Sequence, residues 1–108
     1  YVTNGVNYIV AKEGDTFESL AETFCISARN LRKFNDLKGK AQPVRGEQIY
    51  IDRKQKRWEG NARHHIVTEG ETVASVAQSY ALREKSLRKL NRLKAGAALR
   101  SGQTLRIR

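Results

Sequence analysis

The chain has 108 residues, 39% of them hydrophobic, and a formal net charge of +10 from 21 basic and 11 acidic side chains. That length holds one ordinary domain or two very small ones, and no apolar run approaches the ~18 residues of a membrane span, so membrane insertion is not expected. The single cysteine, Cys25, excludes an intrachain disulfide framework and a multi-thiolate metal site.

Residues 1–8 read as an N-terminal extension, and the absence of Met and of a leader suggests a piece of a longer protein. Ile9-Val10-Ala11 is a β-prone run ended by Lys12-Glu13-Gly14-Asp15. Thr16 stands at a helix N-cap position, followed by Phe17, Leu20, Ala21 and Phe24 as one apolar helical stripe. The turn after this helix holds Cys25 where glycine is usual. Its backbone is therefore either not left-handed or strained by about 1 kcal/mol, with Cys25 expected to pack. Ser27 is the expected cap of a second helix with Leu31, Phe34 and Leu37 inward. Gly46-Glu47-Gln48-Ile49-Tyr50-Ile51 alternates as a half-buried strand does.

Shifted by 56 positions, residues 9–52 align with 65–108 without a gap and with 14 identities in 44 positions, where chance gives about three. Thr72, the stripe Val73, Val76, Ala77 and Tyr80, the face Leu87, Leu90 and Leu93, and Gly102–Ile107 repeat the pattern. Ala81 replaces Cys25, and Arg83-Glu84 replaces the Ser27 cap, so the fourth helix should fray at its start. The expected fold is α+β: two small β-α-α-β repeats, each with a two-stranded antiparallel sheet packed on two helices. Residues 53–64 read as a basic linker, and its Trp58 is expected to pack between the repeats rather than stack on a ligand. The first repeat is neutral, with 7 basic and 7 acidic residues. The second carries 9 against 3, and the segment 53–64 carries 5 against 1. What both repeats share does not need a positive field.

The ordered pattern Lys12-Glu13-Gly14-Asp15-Thr16, Leu31-Arg32-Lys33-Phe34-Asn35-Asp36-Leu37 and Gly46–Ile51 resembles the lysin motif (LysM). It recurs as Thr68–Thr72, Leu87-Arg88-Lys89-Leu90-Asn91-Arg92-Leu93 and Gly102–Ile107. The resemblance implies a non-catalytic module that binds N-acetylglucosamine glycans, peptidoglycan or chitin, in the bacterial envelope, periplasmic or secreted, as the tail of a cell-wall hydrolase. Carried over by position, the glycan-binding residues of the first repeat are Gly14, Asp15, Thr16 and Phe17, facing Leu37, Lys38, Gly39, Lys40 and Ala41. Those of the second are Gly70, Glu71, Thr72 and Val73, facing Leu93, Lys94, Ala95, Gly96 and Ala97. Small residues there would let main-chain amides approach an acetamido group, at ~0.5–1.5 kcal/mol per hydrogen bond.

Local roles compete with these assignments. Asp15 and Glu71 suit a helix N-terminus, Asn35 and Asn91 suit backbone bonding near a helix end, and Thr16 and Thr72 are caps first. Two adjacent histidines, His64 and His65, supply neither a metal cluster nor a catalytic triad, so no cofactor, no metal and no enzyme activity are expected. The alternative function is a nucleic-acid or protein-interaction module using Lys85, Arg88, Lys89, Arg92 and Lys94 of the second repeat. Nucleic acid is not the expected partner, because the first repeat is neutral, and the chain is expected to be monomeric.

Overall fold

The computed structural model describes all residues, 1–108, and they form two compact units, Tyr1–Lys54 and Gln55–Arg108. In the first unit, β1 (Val2–Thr3) and β2 (Val6–Val10) form a hairpin, followed by α1 (Phe17–Phe24), α2 (Ala28–Phe34) and β3 (Gln48–Tyr50). In the second unit, β4 (His64–Ile66) is followed by α3 (Val73–Ser79), α4 (Glu84–Leu90) and β5 (Thr104–Arg106). The terminal strands of each repeat pair antiparallel, Ile9 opposite Ile49 and His65 opposite Leu105. The β-α-α-β order expected from the sequence is therefore present twice.

Hydroxyl caps set the helix starts. Thr16 accepts from Ser19 N–H while the Ser19 hydroxyl accepts from Thr16 N–H, and Thr72 and Ser75 repeat this reciprocal pair. Ser27 caps α2 through Asn30 N–H. Both helices of the first repeat end in a left-handed residue, Cys25 at φ 56° and Asp36 at φ 60°, as do those of the second, Ala81 at 54° and Arg92 at 56°. The left-handed alternative for Cys25 is thus the one realised. Bonds from Ile26 N–H to Ala21 C=O and from Leu37 N–H to Arg32 C=O offset that strain by satisfying helix carbonyls. Cys25 itself is exposed, contrary to the packing role expected of it, while its counterpart Ala81 is fully buried.

The reason is a strap present only in the second unit. Gln55 N–H donates to Ala81 C=O and Arg83 N–H donates to Gln55 C=O, a parallel bridge across the α3–α4 turn. Trp58 N–H then bonds Ile107 C=O at 2.7 Å, and the indole meets the Tyr80 ring edge-on at 5.0 Å. The strap pins the start of α4, which has no side-chain cap. Trp58 packs on the core of its own repeat, and residues 55–58 are not a free tether. In the first unit the matching surface, including Phe24, Ile26, Phe34 and Ile51, lines an open dent. There the extension instead folds back as β1 through an Asn4-Gly5 turn with both φ positive, and Lys54 is buried against Asp36.

The two cores are separate. Phe17, Leu20, Ala21, Leu31 and Ile49 fill one; Val73, Val76, Ala77, Leu82, Leu87, Leu105 and Ile107 fill the other. One asparagine per repeat joins its second helix to its last strand. Asn35 Nδ2 donates to Leu31 C=O at 2.8 Å and Tyr50 C=O at 2.9 Å, while its Oδ1 accepts Tyr50 N–H at 2.7 Å. Asn91 makes the same three bonds, to Leu87 C=O and to both main-chain groups of Arg106. Replacing Asn35 by Ala strands two buried main-chain groups of Tyr50. Asn35→Ala is therefore expected to cost about 1–3 kcal/mol in urea unfolding, and Asn91→Ala less, because that clamp is nearer solvent.

Candidate functional site

In each repeat two loops face the same end of the helix pair: the one entering the first helix and the one leaving the second. In the first repeat the entering loop, Lys12–Thr16, is braced by Asp15, whose carboxylate accepts Lys12 N–H at 2.8 Å. The leaving loop, Leu37–Ala41, closes through Ala41 N–H to Lys38 C=O. Gly14, Lys38, Gly39 and Lys40 are exposed, and Asp15, Thr16, Leu37 and Ala41 are half-buried. Phe17 is wholly buried, so its ring belongs to the core and could not itself meet a ligand.

The two loops are tied together by residues the sequence reading did not single out. Gln42 Oε1 accepts Phe17 N–H at 2.9 Å, and Gln42 Nε2 donates to Glu18 Oε1 at 2.7 Å. The other carboxylate oxygen of Glu18 accepts from an Arg32 terminal nitrogen at 2.7 Å, and Arg32 Nε donates to Ala41 C=O at 2.9 Å. The guanidinium also lies over the Phe17 ring, 5.2 Å from its centroid. Bonds from Gln42, then from Arg32, hold the Glu18 carboxyl below its ordinary range. The brace ties the entering loop to the leaving loop and satisfies Arg32 from three sides.

In the second repeat the same positions are Ala74 for Glu18, Ala98 for Gln42 and Val73 for Phe17, while the arginine is kept as Arg88. No brace forms. Arg88 Nε is buried without a hydrogen-bond partner, and no side chain replaces Gln42 at Val73 N–H. Gly70, Thr72, Lys94, Ala95 and Gly96 are exposed, Glu71, Leu93 and Ala97 half-buried, and the Val73 side chain is buried. Both Leu37 and Leu93 pack against their cores.

The leaving loops also differ in hand. Gly39, the first central residue of its turn, has φ 66°, whereas the second repeat places positive φ at the second central residue, Gly96, φ 75°. With Ala41 N–H to Lys38 C=O and Ala97 N–H to Lys94 C=O closing the two turns, these φ signs belong to mirror-related turn types whose central peptides face opposite ways. A Cβ built on any of Gly14, Gly39, Gly70 or Gly96 would meet nothing within 4 Å. Glycine is needed there for positive φ, and not because anything in the protein approaches closely. A bulky residue at Gly39 or Gly96 would therefore strain the backbone before it filled a cleft.

The entering loop of the second repeat has its own lock. Glu71 Oε1 accepts Thr68 N–H at 2.7 Å and meets His65 Nε2 at 2.8 Å, while His65 Nδ1 meets the Tyr80 hydroxyl at 2.8 Å. Both ring nitrogens of His65 are thus engaged within the fold. The Thr68 amide, then the His65 ring, lowers the Glu71 carboxyl below its usual 4.5. Burial, and the Glu71 charge after it, raises the Tyr80 hydroxyl above its usual 10.0. A carboxyl with a folded-state value below its unfolded one stabilises the fold above the unfolded value, and that stability fades as pH falls through the folded one. Stability of the second repeat should therefore decline below pH 4.5, and Glu71→Gln should flatten that decline in thermal melts followed at Trp58.

The LysM domain pattern matches residues 9–52 and 65–108. The chain is 29% identical over 104 residues to an autolysin of Enterococcus faecalis, covering 89% of this chain but 14% of that protein. Among solved structures it is similar to the spore cortex-lytic enzymes SleL of Bacillus cereus and Bacillus megaterium. Identity is 23% and 24%, TM-score 0.42 and 0.41, with 95% and 94% of this chain and 22% of each enzyme covered. The chain spans a small fraction of these relatives. LysM is a cell-wall glycan-binding domain and not a catalytic one, and proteins that carry it are cell-wall associated or extracellular. No helix of this chain is long and apolar enough to cross a membrane. With both repeats matched over 88 of 108 residues, this chain belongs to the LysM family as a tandem pair of LysM domains.

Proposed function

We propose that this tandem pair binds N-acetylglucosamine-containing glycan, peptidoglycan before chitin, and holds a parent cell-wall hydrolase on its substrate. What supports this reading is that each repeat, on its own core, presents a loop entering its first helix and a loop leaving its second, Gly14–Phe17 with Leu37–Ala41 and Gly70–Val73 with Leu93–Ala97. Around them, exposed glycines and half-buried alanines leave main chain open to a ligand. An acetamido group offers one donor, one acceptor and a methyl. A few hydrogen bonds of ~0.5–1.5 kcal/mol and a buried methyl of ~0.8 kcal/mol, less ordering costs, give millimolar to tens-of-micromolar affinity per repeat. Two such sites on one chain raise retention on a polymer through effective concentration. The similarity to an autolysin supports the hydrolase setting in a bacterial envelope.

Binding built on neutral amides and a methyl is only weakly sensitive to salt, whereas phosphate contacts by the basic second repeat would lose affinity steeply with it. Retention of the chain on purified peptidoglycan should persist from low to high salt and exceed retention on chitin, with duplex DNA retained at most at low salt. Release from both polysaccharides throughout, with salt-sensitive DNA binding, would replace this reading with the nucleic-acid one. In sedimentation the chain should behave as a monomer.

A further inference from the structure

We infer that the second repeat prefers a carboxylate-bearing glycan, its acidic group taking up at Arg88 the place that Glu18 occupies in the first repeat. This rests on the glycan-binding reading and adds to it a chemical difference between the two clefts.

The argument is an internal comparison. Arg32 and Arg88 occupy equivalent positions on the second helices, one turn before the leaving loop. Around Arg32 the protein supplies a carbonyl from Ala41, a carboxylate from Glu18 and an aromatic face from Phe17. Its side chain is 13% exposed and fully served. Around Arg88 the carboxylate, its glutamine partner and the ring are all absent, replaced by Ala74, Ala98 and Val73. Arg88 Nε, whose counterpart in the first repeat donates to the Ala41 carbonyl and not to Glu18, is itself buried with no acceptor, and the donors that match the one holding Glu18 are the terminal nitrogens of Arg88. A buried guanidinium nitrogen without a partner is costly, and buried polar groups in folded proteins are nearly always bonded.

Ala74 and Ala98 are both exposed, so the space their counterparts fill is open to a ligand. A planar guanidinium that never loses its proton suits a carboxylate above other acceptors, because two parallel N–H donors match its two oxygens. The charge balance agrees, with 9 basic and 3 acidic residues in this repeat against 7 and 7 in the first. In the first repeat Glu18 acts as a built-in occupant of that position and would exclude a second carboxylate. One tandem pair would thus read neutral and acidic sugars side by side. In peptidoglycan the carboxylate has two sources, the lactyl ether of muramic acid and the stem peptide attached to it.

The test titrates the whole chain with three soluble tetrasaccharides: a neutral N-acetylglucosamine oligomer, a peptide-free alternating N-acetylglucosamine–N-acetylmuramic acid oligomer, and the same oligomer carrying stem peptides. The Arg88 Nε–Hε resonance and the Ala95–Ala97 amides are followed. Tighter binding of an acidic oligomer by about ten-fold is expected, together with a shift of the Arg88 resonance. Preference for the peptide-free form assigns the lactyl group, and preference for the peptide-bearing form assigns the stem carboxylates. Ala74→Glu with Ala98→Gln restores the internal occupant and should abolish the preference, as should Arg88→Gln, while neutral-oligomer binding stays. Glu18→Ala with Gln42→Ala should create the preference in the first repeat. Equal affinity for neutral and acidic oligomers, or a preference that survives Ala74→Glu with Ala98→Gln, overturns this inference and leaves glycan binding intact. Binding of none overturns both.

Discussion

In each repeat one amide side chain ties the second helix to the last strand. Asn35 and Asn91 sit just past the second helix, where carbonyls run short of donors, and reach across to a strand residue on both its donor and its acceptor. A helix of seven residues has little stability of its own. Fastened at its C-terminus to the strand, it holds the start of the leaving loop at a fixed place. The capping boxes at Thr16 and Thr72 do the same for the entering loop. Two short loops are thereby positioned by polar clamps in a repeat too small to position them by core packing alone.

On that common frame the two clefts diverge through a few side chains. Glu18, Gln42 and Arg32 brace the first from within; Ala74 and Ala98 leave the second without that brace, beside an arginine whose Nε is buried without a partner. The leaving turns place their positive-φ glycine at successive positions, 39 in one numbering frame and 96 rather than 95 in the other, so the main-chain donors they offer differ as well. The Glu71–His65–Tyr80 chain stiffens only the second entering loop. The two repeats share the scaffold of caps and asparagine clamps and differ in the side chains around the loops.

What the sequence made legible was local. The helix stripes, the Thr16, Thr72 and Ser27 caps, the backbone role of the two asparagines and the alternating strands all follow from neighbours within four residues or from the 56-residue repeat. The asparagine clamp was visible only in its helical half, because its strand partners lie 15 residues away. Trp58 packs on its own repeat because main-chain bonds to Ala81, Arg83 and Ile107 tie the strap there, and no local pattern announces such bonds. The β1 hairpin has a local signal in Asn4-Gly5, but a strand of two residues is too short to show alternation. The brace at Arg32 is written in the repeat alignment itself: an arginine kept while Glu18 and the glutamine bonded to it became alanine.

The central claim is that acetamido groups are held by main chain in the facing loops of each repeat. Amide chemical-shift mapping of the chain with an N-acetylglucosamine tetramer tests it most directly. The account predicts saturable shifts concentrated at Gly14–Phe17 and Lys38–Ala41, at Gly70–Val73 and Lys94–Ala97, or at both sets, with the strap residues Gln55–Trp58 and the asparagine clamps unmoved. Shifts confined to the dent beside Phe24 and Phe34, or no shifts at millimolar sugar, would contradict it.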